Sequence, residues 1–121
     1  MHTPQELFDT VLTAIREQGR PSMDINGRCQ YRGPNGLKCA AGQLIPDEKY
    51  KPVMDSDTLN GFGRDFIKRY QLDDLEPHVD LIWYMQAAHD EAAKQFSVDF
   101  LPYFENKMAK VAGRFGLKYD S

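Results

Sequence analysis

Four stretches of the chain place apolar residues three and four positions apart, the spacing that turns one face of a helix toward a core. The first is Leu7, Phe8, Val11, Leu12 and Ile15. Thr3, Pro4 and Glu6 before it supply an N-cap, a first-turn proline and a capping box, and Gly19 stops it. The second is Leu59, Phe62, Phe66, Ile67 and Tyr70. Gly61 and Gly63 weaken its start, so the helix is expected to be firm from about Arg64. The third runs over about 77–95 from Pro77, with Leu81, Ile82, Met85, Ala88 and Ala92 as its stripe and Trp83 and Tyr84 widening it. The fourth, from about Asp99 to Phe115, is lined by Phe100, Phe104, Met108, Val111 and Phe115, tolerates Pro102 in its first turn and is capped by Gly116. Between these, residues 40–45 predict a short helical turn ended by Pro46, and Pro46-Asp47-Glu48 starts another that Pro52 closes. Residues 53–57 read as loop and Asp73 to Pro77 as an acidic connector.

The segment from Cys29 to Tyr50 reads differently. Pro34-Asn35-Gly36 suits a three-residue hairpin loop closed by a glycine bulge. That register sets Gly33 opposite Leu37, Arg32 opposite Lys38 and Tyr31 opposite Cys39. One face then carries Cys29, Tyr31, Leu37, Cys39 and Ala41, and the other Gln30, Arg32, Lys38 and Ala40. Ile25-Asn26-Gly27 suits a second such loop, with Met23 opposite Cys29 and Asp24 paired in charge with Arg28. The expected fold is therefore α+β and mostly helical: about four main helices, with a small antiparallel β-meander at about 22–24, 28–33 and 37–40 after the first. Cys29 and Cys39 share a face on a diagonal of roughly 7–8 Å. That exceeds disulfide reach, so two free thiols packed as small apolar groups are expected.

The string Cys29-x-Tyr31-Arg32-Gly33-x-x-Gly36-x-Lys38-Cys39-Ala40-x-Gly42-x-Leu44-Ile45-Pro46-Asp47-Glu48-x-Tyr50 resembles a motif of small proteins encoded by tailed bacteriophages and prophages. The runs Met85-Gln86-Ala87-Ala88-His89-Asp90 and Ala112-Gly113-Arg114-Phe115-Gly116-Leu117 are similar to the same group. The resemblance implies phage origin and action in the host cytoplasm. It carries over no catalytic residue.

Composition narrows this further. A chain of 121 residues, 41% apolar, suits one globular domain with a single core. Its apolar runs are too short to span a bilayer, and no signal-peptide pattern precedes the first helix, which suits a cytoplasmic protein. Net charge is −3, from 15 basic and 18 acidic residues, which makes duplex DNA an improbable main partner. The charge is uneven: residues 16–38 hold five basic groups against two acidic, and residues 55–91 hold nine acidic against three basic. A solvated surface or a bipolar molecule with a basic hairpin face both fit that pattern.

Candidate chemistry is sparse. Cys29, Cys39, His78 and His89 are the right atoms for zinc, but their spacings are not those of a zinc site, and no metal is expected. His89-Asp90 is similar to the dyad of metal-dependent phosphohydrolases, yet adjacent helical residues diverge by about 100°. A helix-flank histidine bonded to a backbone carbonyl or to Gln86 is the favoured reading. Cys39 on the apolar face is a poor nucleophile. No phosphate loop or cofactor motif is present. Arg32 and Lys38 remain. Two cations facing each other are unfavourable unless an anion lies between them, supplied either internally by Asp47 or Glu48 or by a bound ligand.

Two functions follow. The first is a non-enzymatic protein that binds a host protein or a small anionic, nucleotide-like ligand through Arg32, Lys38, Gln30 and His89, in the context of countering host defence. The alternative is a small hydrolase using His89, Asp90 and a carboxylate such as Asp47. Convergence of His89, Asp47 and a third polar group in one pocket would favour the enzyme. A singly buried His89 beside an open basic surface would favour the binder. The sequence assigns no oligomeric state.

Overall fold

Local signals at both ends of the chain produce the helices they predict. A computed structural model describes residues 2–24, 26–56, 62–95 and 98–119; Ile25, Leu59 and Gly61, used above, lie outside them. Helix α1 spans Pro4–Gln18. Thr3 Oγ1 accepts from the Glu6 amide at 3.1 Å and Glu6 Oε1 accepts from the Thr3 amide at 2.9 Å, closing the capping box. Gly19, at φ 77°, takes the left-handed conformation that ends the helix. Its buried face is Leu7, Phe8, Val11, Leu12 and Ile15, as the periodicity requires.

Helix α2, Val53–Ser56, is a single turn where a loop was expected; it buries Met54 and presents Asp55. Helix α3 is Arg64–Arg69, whose Phe66 ring meets those of Tyr31, Phe62 and Tyr70. The acidic connector forms a 3-10 segment over Asp73–His78 that contains Pro77. Helix α4 therefore starts two residues later than the proline suggested, at Val79–Ala93. Helix α5 runs Phe100–Phe115 and ends on Gly116 at φ 67°. α4 packs along α5, and α1 lies against both.

The β-meander does not form. Among the described residues there is no strand, and an isolated antiparallel bridge, Met23 to Cys29, is what remains of it. The α+β expectation is corrected to an all-helical fold with an irregular segment between α1 and α2. The turns themselves are close to those expected. Gly33 N–H donates to Leu37 C=O at 2.8 Å, and Asp24 N–H to Arg28 C=O at 2.8 Å. Asn35 as well as Gly36 has positive φ, 62° and 76°, so the tip is a tighter turn than a glycine-bulge loop.

The ladder fails beyond the turns because side chains take its backbone groups. Gln18 Oε1 accepts from the Lys38 amide at 2.9 Å while its Nε2 donates to the Lys38 carbonyl at 2.9 Å. Asp55 Oδ1 accepts from the Tyr31 amide at 2.6 Å, and Gln86 Oε1 from the Ala41 amide at 2.7 Å. Each bond satisfies a group that would otherwise need a strand partner. Asp24 behaves likewise: its Oδ1 accepts from the Asn26 and Arg28 amides, instead of serving as the expected charge partner of Arg28. Burial also departs from alternation. Cys39, Ala40, Ala41 and Gly42 are all buried in succession, which suits the 3-10 turn at Ala41–Leu44 that the Pro46 signal implied. Gly42 is needed there, because a Cβ would lie 2.2 Å from the Tyr31 carbonyl oxygen.

Candidate functional site

Arg32 and Lys38 converge, across a loop and not across a ladder. Arg32 Nη1 lies 2.8 Å from Asp47 Oδ1, and Lys38 Nζ lies 3.7 Å from the same oxygen. The intervening anion is thus internal. The hydrogen bond from Arg32, followed by the charge of Lys38, holds the Asp47 carboxyl below its ordinary range. Arg32 is also part of the fold. Its Nη2 donates to Ile45 C=O at 2.7 Å and its guanidinium lies 4.8 Å from the centre of the Tyr50 ring. Tyr50 in turn hydrogen-bonds Asp55 through its hydroxyl. Asp47 is different: its side chain is 82% exposed and stands in the open above the two cations. An open depression of about 460 Å³ adjoins Lys38, bounded by Arg20, Gln18 and Gly36. Gln30 does not join this group through its amide, which donates to Asp24 Oδ2.

His89 lies elsewhere and is closed off. It is fully buried, with its ring edge-on to Phe100. Nε2 accepts from the buried Ser22 amide at 3.1 Å. That bond leaves the ring proton on Nδ1, 3.0 Å from Asp90 Oδ1. The two side chains therefore meet despite the divergence of adjacent helical positions. Asp90 Oδ1 also accepts from Gln86 Nε2 at 2.7 Å. Burial raises the Asp90 carboxyl, but the hydrogen bonds from His89, Cys29 and Gln86 outweigh it and hold the group below its usual value. In effect Gln86, His89 and Asp90 bolt residues 22 and 41 to α4.

Cys29 Sγ, a ring nitrogen of His89 and a carboxylate oxygen of Asp90 all lie within 4.8 Å of one another, close enough to be tested as a metal site. The donor set does not fit one. Because Nε2 is an acceptor, Nδ1 carries the proton, and that proton occupies the position a metal would need. Of the four residues weighed for zinc, this cluster unites Cys29 and His89. The thiols are both free, Cys39 buried and Cys29 half-buried. Burial and the neighbouring Asp90 carboxylate push the Cys29 thiol far up, and burial pushes Cys39 up to about 12. Neither is a nucleophile at neutral pH.

A third feature was not read from the sequence. Trp83 was expected to widen the apolar face of α4, but it points outward and is 55% exposed. The buried residues of α4 are Val79, Leu81, Ile82, Met85, Ala88, His89 and Ala92, and Trp83 sits about 100° beyond Ile82, past the edge of that stripe. With Tyr84, Ala87 and Glu91 it forms one wall of a groove of about 490 Å³, whose other wall is Lys107, Lys110, Val111 and Arg114 of α5. The available signal was the spacing of those three cations along one side of α5. No family model, curated protein or solved structure matches the chain.

Proposed function

We propose that this chain is a non-enzymatic accessory protein of a bacteriophage or prophage. It acts in the host cytoplasm by binding an anionic group, on a host protein or a small ligand, at Arg32 and Lys38. The observation that carries this reading is the Asp47 carboxylate. It bridges the two cations through one oxygen while its side chain stays 82% exposed. A guanidinium and an ammonium already arranged around a carboxylate suit the carboxylate or phosphate of a partner, which need only displace an exposed side chain. Exposed ion pairs contribute little, so that displacement costs little. Among the described residues no helix is long and apolar enough to cross a membrane, which is compatible with action in the cytoplasm.

The closed bonding of His89 weighs against the hydrolase alternative. Both ring nitrogens are engaged inside the core, and Asp47 belongs to the separate Arg32–Lys38 group. The test compares three baits in affinity capture from host lysate at low and high salt: wild type, Lys38→Ser and Asp47→Asn. Arg32 is left intact because it also holds Ile45 and Tyr50. Lys38→Ser should weaken capture, most at low salt, and Asp47→Asn should strengthen it by removing the internal competitor. Capture unchanged by both substitutions would place recognition elsewhere.

A further inference from the structure

We infer that the groove between α4 and α5 is a binding site for a free nucleotide, with the base stacked on Trp83 and the phosphates held by Lys110 and Arg114. This site shares no residue with the Arg32–Lys38–Asp47 group and stands independently of it.

Two cations of the groove, Lys110 and Arg114, have no carboxylate within ion-pair distance among the described residues, whereas the neighbouring Lys107 pairs with Glu91 at 2.8 Å. Lys110 and Arg114 are four residues apart on α5, so they sit on the same face one turn apart, an unfavourable arrangement for like charges. Arg114 is held in place: its guanidinium lies 4.5 Å from the centre of the Tyr84 ring. In a chain of net charge −3, the lining of this groove holds three cations against one carboxylate, Glu91, and Asp80 lies beside Trp83 and Arg114 in the adjoining depression. A phosphate chain between Lys110 and Arg114 would replace their repulsion with attraction.

The second observation is the exposed indole. The Trp83 and Tyr84 rings meet edge to face, with centres 5.1 Å apart at 83°, so the indole is oriented by packing while over half of its surface stays open. A partly exposed indole oriented by packing, next to cations without a carboxylate partner, is a combination on which nucleic-acid bases stack. Ala87, Ala88 and Val111 line the groove with small side chains, which leaves room beside the ring.

Size decides between a nucleotide and a strand. From Trp83 to Glu91 the groove follows α4 for about 12 Å at 1.5 Å per residue. That length, and a volume of about 490 Å³, accommodate one base, one sugar and a short phosphate chain. A single strand would need a longer basic track, and Glu91 closes the far end.

Trp83 is the chain's one tryptophan, so intrinsic fluorescence reports on this groove alone. The 121-residue chain is titrated at low salt with ATP, GTP, CTP and UTP, exciting at the red edge of the indole band where the bases do not absorb. Saturable quenching by at least one of them is expected. Inorganic triphosphate should compete weakly and quench little, because it has no base. Lys110→Gln and Arg114→Gln should each raise the half-saturation concentration roughly fivefold or more, with melting temperatures near wild type because both residues are exposed. Trp83→Ala, followed by calorimetry, should lose binding to a similar degree. The inference is overturned by any of three results: no saturable quenching by any nucleotide, quenching unaffected by both cation substitutions, or inorganic triphosphate binding as tightly as the nucleotides. A short single-stranded RNA that binds more tightly than every mononucleotide would also overturn it, as a strand-binding surface.

Discussion

Replacing His89 with phenylalanine separates a structural latch from a functional histidine. The ring volume and the edge contact with Phe100, at 5.6 Å between centres, are largely kept. Two hydrogen bonds are lost. The first leaves the Ser22 amide without a partner, and Ser22 is fully buried, so that orphaned donor costs about 1–3 kcal/mol. The second is the bond to Asp90 Oδ1. Asp90 keeps Gln86 at 2.7 Å and its side chain is 34% exposed, so water replaces part of what is lost. That loss is below about 1 kcal/mol. The total is about 1–4 kcal/mol, which lowers the melting temperature of a chain of this length by roughly 4–16 °C. Thermal and urea denaturation measure the loss, and amide hydrogen exchange locates it. The Ser22 amide should be protected in the wild type and exchange markedly faster in the variant. Capture of the partner by the folded variant at low temperature should be unchanged. A melt within about 2 °C of wild type, with Ser22 still protected, would show that His89 does not tie this segment to α4.

Two further outcomes follow from the packing. Gly42→Ala drives a methyl to 2.2 Å from the Tyr31 carbonyl oxygen, with backbone on the other side, and should cost about 3 kcal/mol or more. Gly113→Ala meets nothing within 4 Å on α5 and should stabilise by about 0.5–1 kcal/mol; melts that reverse this order would contradict the close approach of residues 31 and 42. Both thiols should react slowly with a disulfide reagent at neutral pH, since both are held far above that range, and both should titrate after unfolding without reductant. Fast native reaction at Cys29 would show that burial and the Asp90 carboxylate do not suppress its ionisation.

The helix ends were legible because what makes them is local. Thr3 and Glu6 are three residues apart and cap each other, and Gly19 and Gly116 end α1 and α5 through their own backbone freedom. Turn chemistry was legible for the same reason: Gly33 meets Leu37 and Met23 meets Cys29, as the Asn-Gly steps require. The convergence of Arg32 and Lys38, with Asp47 as one possible anion between them, also followed from that turn and its neighbourhood. The sheet was misjudged because its fate depended on residues far along the chain. Gln18, Asp55 and Gln86 are 20, 24 and 45 residues from the amides they bond, and no local pattern says that a side chain will satisfy a strand's donor. His89 and Trp83 show the same limit. Both lie on α4, one fully buried and one mostly open, and the choice was made by where α1, α5 and residue 22 pack around that helix. Periodicity defines a stripe, but only the neighbours decide how wide it is and which polar group at its edge they enclose.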